Sequence, residues 1–204
     1  MRIGLFGGSF DPPHVGHLLI AQDAIDALQL DLLLVIPAAQ QPLKGAGQTD
    51  AAHRLAMVRA CFEGVPKVVV DPVEITRGGL SYMVDTVENV RERWPLAELH
   101  LLVGSDVVPT FSRWKEPERL LGLVRLVVLY RDTAGAVPPH PEIHGGVRAQ
   151  GLATRRVDVS STEIRARVRD HRSIRGFVSE SVASYIASTG LYLENSRMPE
   201  RAET

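Results

Sequence analysis

The sequence has little cysteine, little net charge and no long apolar run, and each of these absences removes a class of protein. Its single cysteine, Cys61, excludes an internal disulfide framework and a metal site built from several thiolates. The formal net charge is −1 over 204 residues, so nothing in it points to a nucleic-acid or membrane surface. No run approaches the roughly 18 apolar residues of a membrane span. Met1 leads into a predicted strand without a secretory leader, so we expect a cytoplasmic protein.

The composition is that of a folded domain. Hydrophobic residues make up 45% of the chain and charged residues 23%, which is typical of a globular protein with a buried core. The length suits one domain, which we expect to span residues 1–193. From Glu194 the chain is polar and lacks an apolar pattern, so residues 194–204 are predicted to form a frayed tail.

Apolar runs alternate with helical patterns along the chain, and this alternation predicts the fold class. The runs are continuous, which suits strands of a parallel sheet that is covered on both faces. Right-handed crossovers then give an α/β fold, a doubly wound, mainly parallel, Rossmann-like sheet with ligands at the carboxyl ends of its strands. The predicted strands are Arg2–Phe6, Leu32–Ile36, Val68–Val70, Leu99–Val103, Arg125–Leu129 and, more weakly, Arg156–Val159. The predicted helices are Val15–Leu28, Ala51–Phe62, Met83–Trp94, Pro117–Leu121, Thr162–Val168 and Ser179–Thr189.

Two long segments are predicted to be loops, Ala38–Asp50 and Asp132–Thr154. Both are poor in apolar residues or rich in glycine and proline. Loops of this length are uncommon inside a compact domain unless they serve a function. Both are therefore candidates for a mobile surface or a lid.

The stretch Ile3–His17 organises the rest of the chain. It starts as a strand, breaks at Gly7-Gly8-Ser9, where small residues let the backbone approach a ligand, and leads into a helix. This order places free backbone N–H groups and the positive end of a helix at one point, which suits phosphate. His14 and His17 lie at that point and face the same way on a helical turn. On spacing alone they are structural, metal-binding or phosphate-binding histidines.

Two motifs carry a resemblance to a known superfamily. Residues 7–17, Gly-Gly-Ser-Phe-Asp-Pro-Pro-His-Val-Gly-His, resemble the nucleotidyltransferase motif of the HxGH type. Residues 159–165, Val-Ser-Ser-Thr-Glu-Ile-Arg, resemble the second motif of that superfamily, Ile-Ser-Ser-Thr-x-x-Arg. The long first motif is similar to that of bacterial nicotinate-mononucleotide adenylyltransferases. This resemblance covers most of the chain, from residue 3 to about residue 192.

The resemblance implies an enzyme of NAD biosynthesis. Such an enzyme transfers the adenylyl group of ATP to nicotinate mononucleotide, giving deamido-NAD and pyrophosphate, with Mg²⁺ held by the ATP phosphates and no metal ligand from protein side chains. The acceptor phosphate is already an anion, so the protein needs to hold two anions in line and neutralise the departing charge. By resemblance His14 and His17 bind the triphosphate, and Arg165 joins them as a catalytic residue. The expected partners are ATP and the mononucleotide, with no nucleic acid or membrane. The sequence does not decide between a monomer and a homodimer.

The ATP site implied by the resemblance takes residues from both motifs and from the end of the fourth predicted strand. Its members are Gly7, Gly8, Ser9, Phe10, His14, His17, Gly104, Asp106, Ser161, Thr162 and Arg165. A ribose-binding acid belongs after such a strand, and the resemblance implies that Gly104 and Asp106 contact the adenosine, although Asp106 could instead cap the next helix. Ser161 and Thr162 are expected at the β- and γ-phosphates, with a plain N-cap as the alternative.

The mononucleotide site implied by the resemblance consists of Ser9, Lys44, Tyr82, Thr86 and Trp114. Ser81 is a plausible N-cap of the following helix, and a helix N-terminus suits a nicotinate carboxylate better than a neutral amide. Thr86 and nearby backbone N–H groups are the expected readers of the carboxylate. Trp114 is expected to stack on the pyridine ring. The alternatives are an ordinary capped helix, a core tryptophan and a solvated loop lysine.

The chain departs from the family pattern at two positions. Leu43 stands where the family segment Pro-x-His-Lys has histidine, and Met83 replaces threonine in Gly-x-Ser-Tyr-Thr-x-Asp-Thr. Arg54 and Arg131 resemble family arginines, but the sequence does not separate a functional role of Arg54 from a structural ion pair.

Three other functions compete with this one. Phosphopantetheine adenylyltransferases share both motifs but lack the Ser-Tyr-x-x-Asp-Thr block. A non-catalytic nucleotide-binding protein of the same fold would keep the architecture without the reaction. A dinucleotide-dependent oxidoreductase is disfavoured because residues 4–8 do not give Gly-x-Gly-x-x-Gly.

Overall fold

One six-stranded parallel sheet forms the centre of the fold. The computed structural model describes residues 1–43, 48–130, 140–143, 145–146 and 148–193. The strands are β1 (Arg2–Gly8), β2 (Leu32–Pro37), β3 (Val68–Val70), β4 (Glu98–Gly104), β5 (Arg125–Tyr130) and β6 (Gln150–Ala153). Their order is β3-β2-β1-β4-β5-β6, and every neighbouring pair is parallel. The strand order reverses between β1 and β4, which is where a doubly wound sheet opens a crevice for a ligand.

Helices cover both faces of this sheet. They are α1 (Val15–Leu28), α2 (Ala51–Phe62), α3 (Val73–Arg77), α4 (Met83–Arg93), α5 (Pro117–Leu123), α6 (Ser161–Arg169) and α7 (Glu180–Thr189), with a 3₁₀ helix at Ser105–Arg113. Along β2, Leu33 and Val35 pack with α1, α2 and α7, whereas Leu34 and Ile36 pack with α4 and α5. Alternate side chains of a strand point to opposite faces. A strand buried on both sides therefore has the continuous apolar run that the sequence shows.

The predicted fold class is confirmed, and so are most of the predicted elements. Helices α1 and α2 have the predicted bounds, and β1 extends two residues further, to Gly8. The weak strand predicted at Arg156–Val159 is wrong. The sixth strand lies at Gln150–Ala153, inside a segment predicted to be a loop, and it pairs with β5. The main-chain N–H of Arg155 instead donates to Asp23 on α1, which directs the next residues across that helix.

Two short elements were not predicted, α3 and the 3₁₀ helix. Five residues are too few to show a helical period, and Pro109 interrupts the pattern of the second element. Lys44, Arg131 and the predicted tail at 194–204 lie outside the described residues. Within the described ranges, no helix has the length and apolar character needed to cross a bilayer.

Candidate active site

A cavity of about 520 Å³ opens at the carboxyl ends of β1 and β4. It lies at the point where the strand order reverses. Nine of the predicted site residues line it, which are Gly7, Gly8, Ser9, Phe10, His17, Tyr82, Gly104, Asp106 and Trp114. These nine residues come from both the predicted ATP site and the predicted mononucleotide site. The other described members of the predicted site do not line the cavity; these are His14, Thr86, Ser161, Thr162 and Arg165.

The glycines at the end of β1 lie very close to other side chains. A Cβ atom on Gly7 would lie 2.8 Å from the terminal methyl carbon of Met83, and one on Gly8 would lie 3.0 Å from the Phe10 ring. Phe10 itself has a φ of 49°, in the left-handed region. Its ring packs edge-on against Phe6 and His17, with ring centroids 5.5 and 5.0 Å away. These ring contacts hold the turn above the sheet.

The two histidines form a stacked pair at the start of α1. The ring centroids of His14 and His17 are 3.8 Å apart, and the main-chain N–H of His14 donates to Nδ1 of His17 over 3.1 Å. A neutral imidazole that accepts at Nδ1 carries its proton on Nε2, so His17 offers a donor at the cavity wall. Gly16 allows this stacking because a Cβ there would lie 3.0 Å from the His14 ring.

The second motif is bonded directly to the first. Ser161 Oγ donates to the carbonyl of Pro12 over 2.8 Å, and Arg165 Nη1 donates to the carbonyl of Asp11 over 2.7 Å. Arg165 Nη2 also lies 3.3 Å from Thr162 Oγ1. The N-terminus of α6 is thereby placed beside the stretch that leads into α1. Two helix N-termini next to each other make an electropositive place that suits a phosphate chain.

The N-cap of α6 is Ser160, whose Oγ accepts from the main-chain N–H of Glu163 over 3.1 Å. The alternative that these hydroxyl residues are N-caps is therefore confirmed for Ser160 and wrong for Ser161 and Thr162. Ser161 and Thr162 instead occupy the first turn of the helix, where their hydroxyls face the first motif and Arg165.

Asp11 joins the first motif to two other segments of the chain, and the sequence did not predict these contacts. Its side chain is buried, and its carboxylate accepts from the main-chain N–H of Thr49 over 3.1 Å and from Tyr192 Oη over 2.7 Å. Burial raises the pKa of the Tyr192 phenol, and its hydrogen bond to Asp11 raises it further. Tyr192 therefore stays a donor. It ties the segment after α7 to the first motif.

Arg54 has a structural role, because it holds three loop segments together. Its side chain is 1% exposed, and its Nε, Nη1 and Nη2 donate to the carbonyls of Thr49, Ser9 and Ala39 over 2.8–2.9 Å. Burial lowers the pKa of the guanidinium, and the carboxylate of Asp11 opposes that shift. Arg54 thus fixes the Ser9 turn relative to the segments after β2 and before α2.

Tyr82 and Trp114, which the sequence predicted to bind the mononucleotide, both line the cavity. Trp114 packs on Phe111 with ring centroids 5.1 Å apart, so it is both a packing residue and a cavity residue. Lys115 Nζ lies 4.9 Å from the centre of the Tyr82 ring and 2.8 Å from a carboxylate oxygen of Asp85. Sequence reasoning missed Lys115, which lines the cavity directly after Trp114.

Two predictions about the segment before α4 need correction. Ser81 is not the N-cap, because Tyr82 occupies that position and Ser81 Oγ accepts from the main-chain N–H of Ala39 over 2.9 Å. Thr86 lies behind the cavity rather than in its wall. It is fully buried, and its hydroxyl donates to Glu74 Oε1 over 2.7 Å. Glu74 was not predicted, although it lines the cavity, and burial raises the pKa of its carboxyl.

At the adenosine end predicted from the sequence, Asp106 turns back over the end of β4. Its carboxylate lies close to where a Cβ atom on Gly104 would be, so a side chain at position 104 would displace the Asp106 carboxylate. The N-cap of the 3₁₀ helix is Gly104, and Asp106 lies in its first turn. The alternative of Asp106 as the cap is therefore wrong.

The comparisons with known proteins agree with this geometry. Residues 5–167 match the family model described as cytidylyltransferase-like, so the fold and the site define a nucleotidyltransferase of that class. A protein of Gemmatimonas aurantiaca named "Probable nicotinate-nucleotide adenylyltransferase" is 71% identical over 97% of this chain and 95% of its own length. One of the same name from Herpetosiphon aurantiacus is 39% identical over 94% and 98%. The chain belongs to the nicotinate-nucleotide adenylyltransferase family.

A solved structure supports the fold independently. The Plasmodium falciparum nicotinic acid mononucleotide adenylyltransferase complexed with NaAD matches with a TM-score of 0.75 at 20% identity. The match covers 94% of this chain and 97% of that one. At this identity the likeness concerns the fold alone.

Proposed function

We propose that this enzyme transfers the adenylyl group of ATP to nicotinate mononucleotide, giving nicotinate adenine dinucleotide (deamido-NAD) and pyrophosphate, a step of NAD biosynthesis. Membership of the family supports this assignment. The observation that carries it is the junction of the two motifs, in which Arg165 donates to the carbonyl of Asp11 and Ser161 to that of Pro12. One triphosphate can then meet the imidazole pair and the guanidinium together.

In the proposed reaction, an oxygen of the mononucleotide phosphate attacks the α-phosphorus of ATP. The bond from that phosphorus to the bridging α–β oxygen breaks, and pyrophosphate leaves with the bonding electrons. Negative charge therefore grows on the departing group. His14, His17 and Arg165 are the proposed catalytic residues, because imidazole and guanidinium donors stabilise charge that develops in the transition state. Ser161 and Thr162, in the first turn of α6, are proposed to hold the β- and γ-phosphates.

The remaining proposed contacts come from the family resemblance, and most of these residues line the cavity. Gly7, Gly8, Ser9 and Phe10 are proposed to run along the nucleotide, with Gly104 and Asp106 at the adenosine. Ser9, Tyr82 and Trp114 are proposed to bind the mononucleotide, with Trp114 against the pyridine ring. Thr86 acts from behind this wall, through Glu74. Lys44 keeps its proposed phosphate contact from the sequence.

Mg²⁺ is proposed to enter with ATP. Among the described residues, no group of three or more histidine, cysteine, aspartate or glutamate side chains is placed to hold a metal ion. Mg²⁺ prefers oxygen ligands in octahedral geometry and usually keeps several waters, so imidazoles such as that of His17 are poor ligands for it. Phosphate oxygens and water fit this setting. The ion would neutralise charge on the triphosphate while the side chains orient it.

A pyrophosphate-release assay tests the function. The purified chain is given ATP and Mg²⁺ with nicotinate mononucleotide, nicotinamide mononucleotide, phosphopantetheine or no acceptor, and the products are identified by mass spectrometry. We expect release above the no-acceptor rate and a dinucleotide product with nicotinate mononucleotide. Turnover of phosphopantetheine alone, or of no acceptor, would contradict the assignment. The enzyme is proposed to act in the cytoplasm, and sedimentation equilibrium distinguishes a monomer from the homodimer that the sequence left open.

A further inference from the structure

An acidic side chain lies in the wall of the cavity where an acidic substrate group is proposed to bind. Glu74 is 3% exposed and lines the cavity together with Ser81, Tyr82 and Met83. The nicotinate carboxylate of the proposed acceptor carries the same charge. Two carboxylates that face each other through a poorly solvated wall repel, unless another group offsets one of them.

A chain of two hydrogen bonds connects Glu74 to a cation outside the cavity. Arg77 Nη2 donates to Thr86 Oγ1 over 3.1 Å, and Thr86 Oγ1 donates to Glu74 Oε1 over 2.7 Å. A threonine hydroxyl has a single proton, so the shorter contact to Glu74 takes it rather than the carbonyl of Tyr82 at 3.3 Å. Hydrogen bonds in such a series polarise one another. The charge of Arg77 thus acts on Glu74 through the hydroxyl of Thr86.

The other charged group close to Glu74 is already engaged. Asp71 is buried and forms an ion pair with Arg93 over 2.5 Å. Ser81, like Thr86, lowers the pKa of the Glu74 carboxyl against the effect of burial. Arg77 is therefore the cation whose charge offsets that of Glu74, and it does so without lining the cavity itself.

We propose that Arg77, acting through Thr86, offsets the charge of Glu74 and so preserves the preference of the enzyme for the acid mononucleotide over the amide mononucleotide. This inference rests on the proposed function. With Arg77 in place, the nicotinate carboxylate meets a nearly neutral pair in the wall. Without Arg77 the nicotinate carboxylate meets the uncompensated charge of Glu74 and is repelled. A neutral carboxamide is not repelled by that charge. Arg77 and Glu74 are positioning residues, since neither touches the reacting phosphates.

The test is a cycle of variants at these two positions. Arg77→Met, Glu74→Gln and the double variant are compared with Arg77→Lys, which keeps the charge, and with Arg59→Met, which removes an exposed charge from α2. The measurements are kcat/KM for both mononucleotides, their dissociation constants by calorimetry, and KM for ATP. We expect Arg77→Met to lower the acid-to-amide ratio about tenfold, with KM for ATP unchanged. Arg77→Lys and Arg59→Met should keep the ratio.

The double variant separates an electrostatic role from a structural one. In the Glu74→Gln background the negative charge is gone, so Arg77→Met should no longer change the acid-to-amide ratio. An equal loss for both mononucleotides, or the same loss of ratio in both backgrounds, would overturn the inference. If the Glu74→Gln variant has a low melting temperature, the acid-to-amide ratios of Arg77→Met and Arg77→Lys are compared instead. Arg77 is exposed, so these two variants should fold. Wild-type enzyme that adenylylates neither mononucleotide would overturn the proposed function and this inference together.

Discussion

The guanidinium of Arg165 donates a 2.7 Å hydrogen bond to the main-chain carbonyl of Asp11, across 154 positions of the sequence. This bond holds the second motif against the first. A guanidinium has several N–H groups in a rigid fork, so one side chain can bind a carbonyl and still present donors to an anion. The same residue thus assembles the site and is proposed to act in it.

Arg165→Lys separates these two roles. Lysine keeps the charge but has a point-like ammonium, so it cannot reproduce both contacts. We expect kcat to fall about tenfold or more, with little change in melting temperature. Steady-state rates and thermal denaturation measure the two effects. Unchanged kcat in a folded variant would remove Arg165 from the proposed catalytic residues.

His17→Ala removes the donor that the tautomer argument places at the cavity wall. We expect kcat to fall about a hundredfold or more, because a donor to the departing charge is lost, while the fold survives. His53→Ala is the matched control, since His53 lies on α2 and contacts Tyr185 instead of the cavity. Near-normal turnover by His17→Ala would refute the proposed role, and circular dichroism checks the fold of both variants.

Trp114→Ala removes the proposed stacking surface for the pyridine ring. We expect the affinity for nicotinate mononucleotide to weaken by about 1 kcal/mol or more, with a smaller effect on ATP. Calorimetric titration with each nucleotide measures both. If ATP binding suffers more, Trp114 belongs to the adenosine end of the cavity. Trp94→Ala, at the C-terminal end of α4, controls for the general loss of an indole.

Arg54→Met tests the structural role of Arg54. Methionine fills much of the space but leaves the carbonyls of Ser9, Ala39 and Thr49 without their donors. We expect the free energy of unfolding to fall by about 3 kcal/mol or more, since each orphaned buried group costs about 1–3 kcal/mol. Arg59→Met, at an exposed position of the same helix, should change it by less than about 0.5 kcal/mol. Urea denaturation of both variants gives the comparison.

Glu74 makes stability depend on pH in a defined direction. Burial raises the pKa of its carboxyl, so the folded protein binds a proton more tightly there than the unfolded chain does. This contribution is fully present below the ordinary pKa of glutamate, about 4.3, and is lost as pH rises through the raised value. Relative to Glu74→Gln, wild type should therefore be more stable near pH 4 than near pH 8. Urea denaturation across that range measures it, and the opposite slope would contradict it.

The sequence was enough to predict the elements whose burial is continuous or strongly periodic. Strands such as Leu32–Pro37, buried on both faces, show long apolar runs, and α1 shows helical spacing over fourteen residues. The strand Gln150–Ala153 has one large apolar residue, Leu152, so its place in the sheet depends on pairing with β5. Such pairing is a tertiary effect that no local pattern records.

The candidate site likewise has a part that the sequence predicted and a part that it did not. The glycine turn, the histidine pair and the second motif were found because their spacing resembles a family pattern, and the structure brings them together. The partners of Thr86 and Ser81 were not predictable, because Glu74 and Ala39 reach them only after the chain folds. Tyr192 escaped notice for a similar reason, since its bond to Asp11 spans 181 positions.

The hydrogen bond from Tyr192 to Asp11 has a consequence for the synthesis of the protein itself. A nascent polypeptide that has left the ribosome only as far as α6 already carries both imidazoles, yet it lacks the phenol that secures the loop before them. Nucleotide capture should therefore begin only after Tyr192 has been synthesised and its phenol has bonded to Asp11. Chains that stop before Tyr192 should then bind ATP poorly.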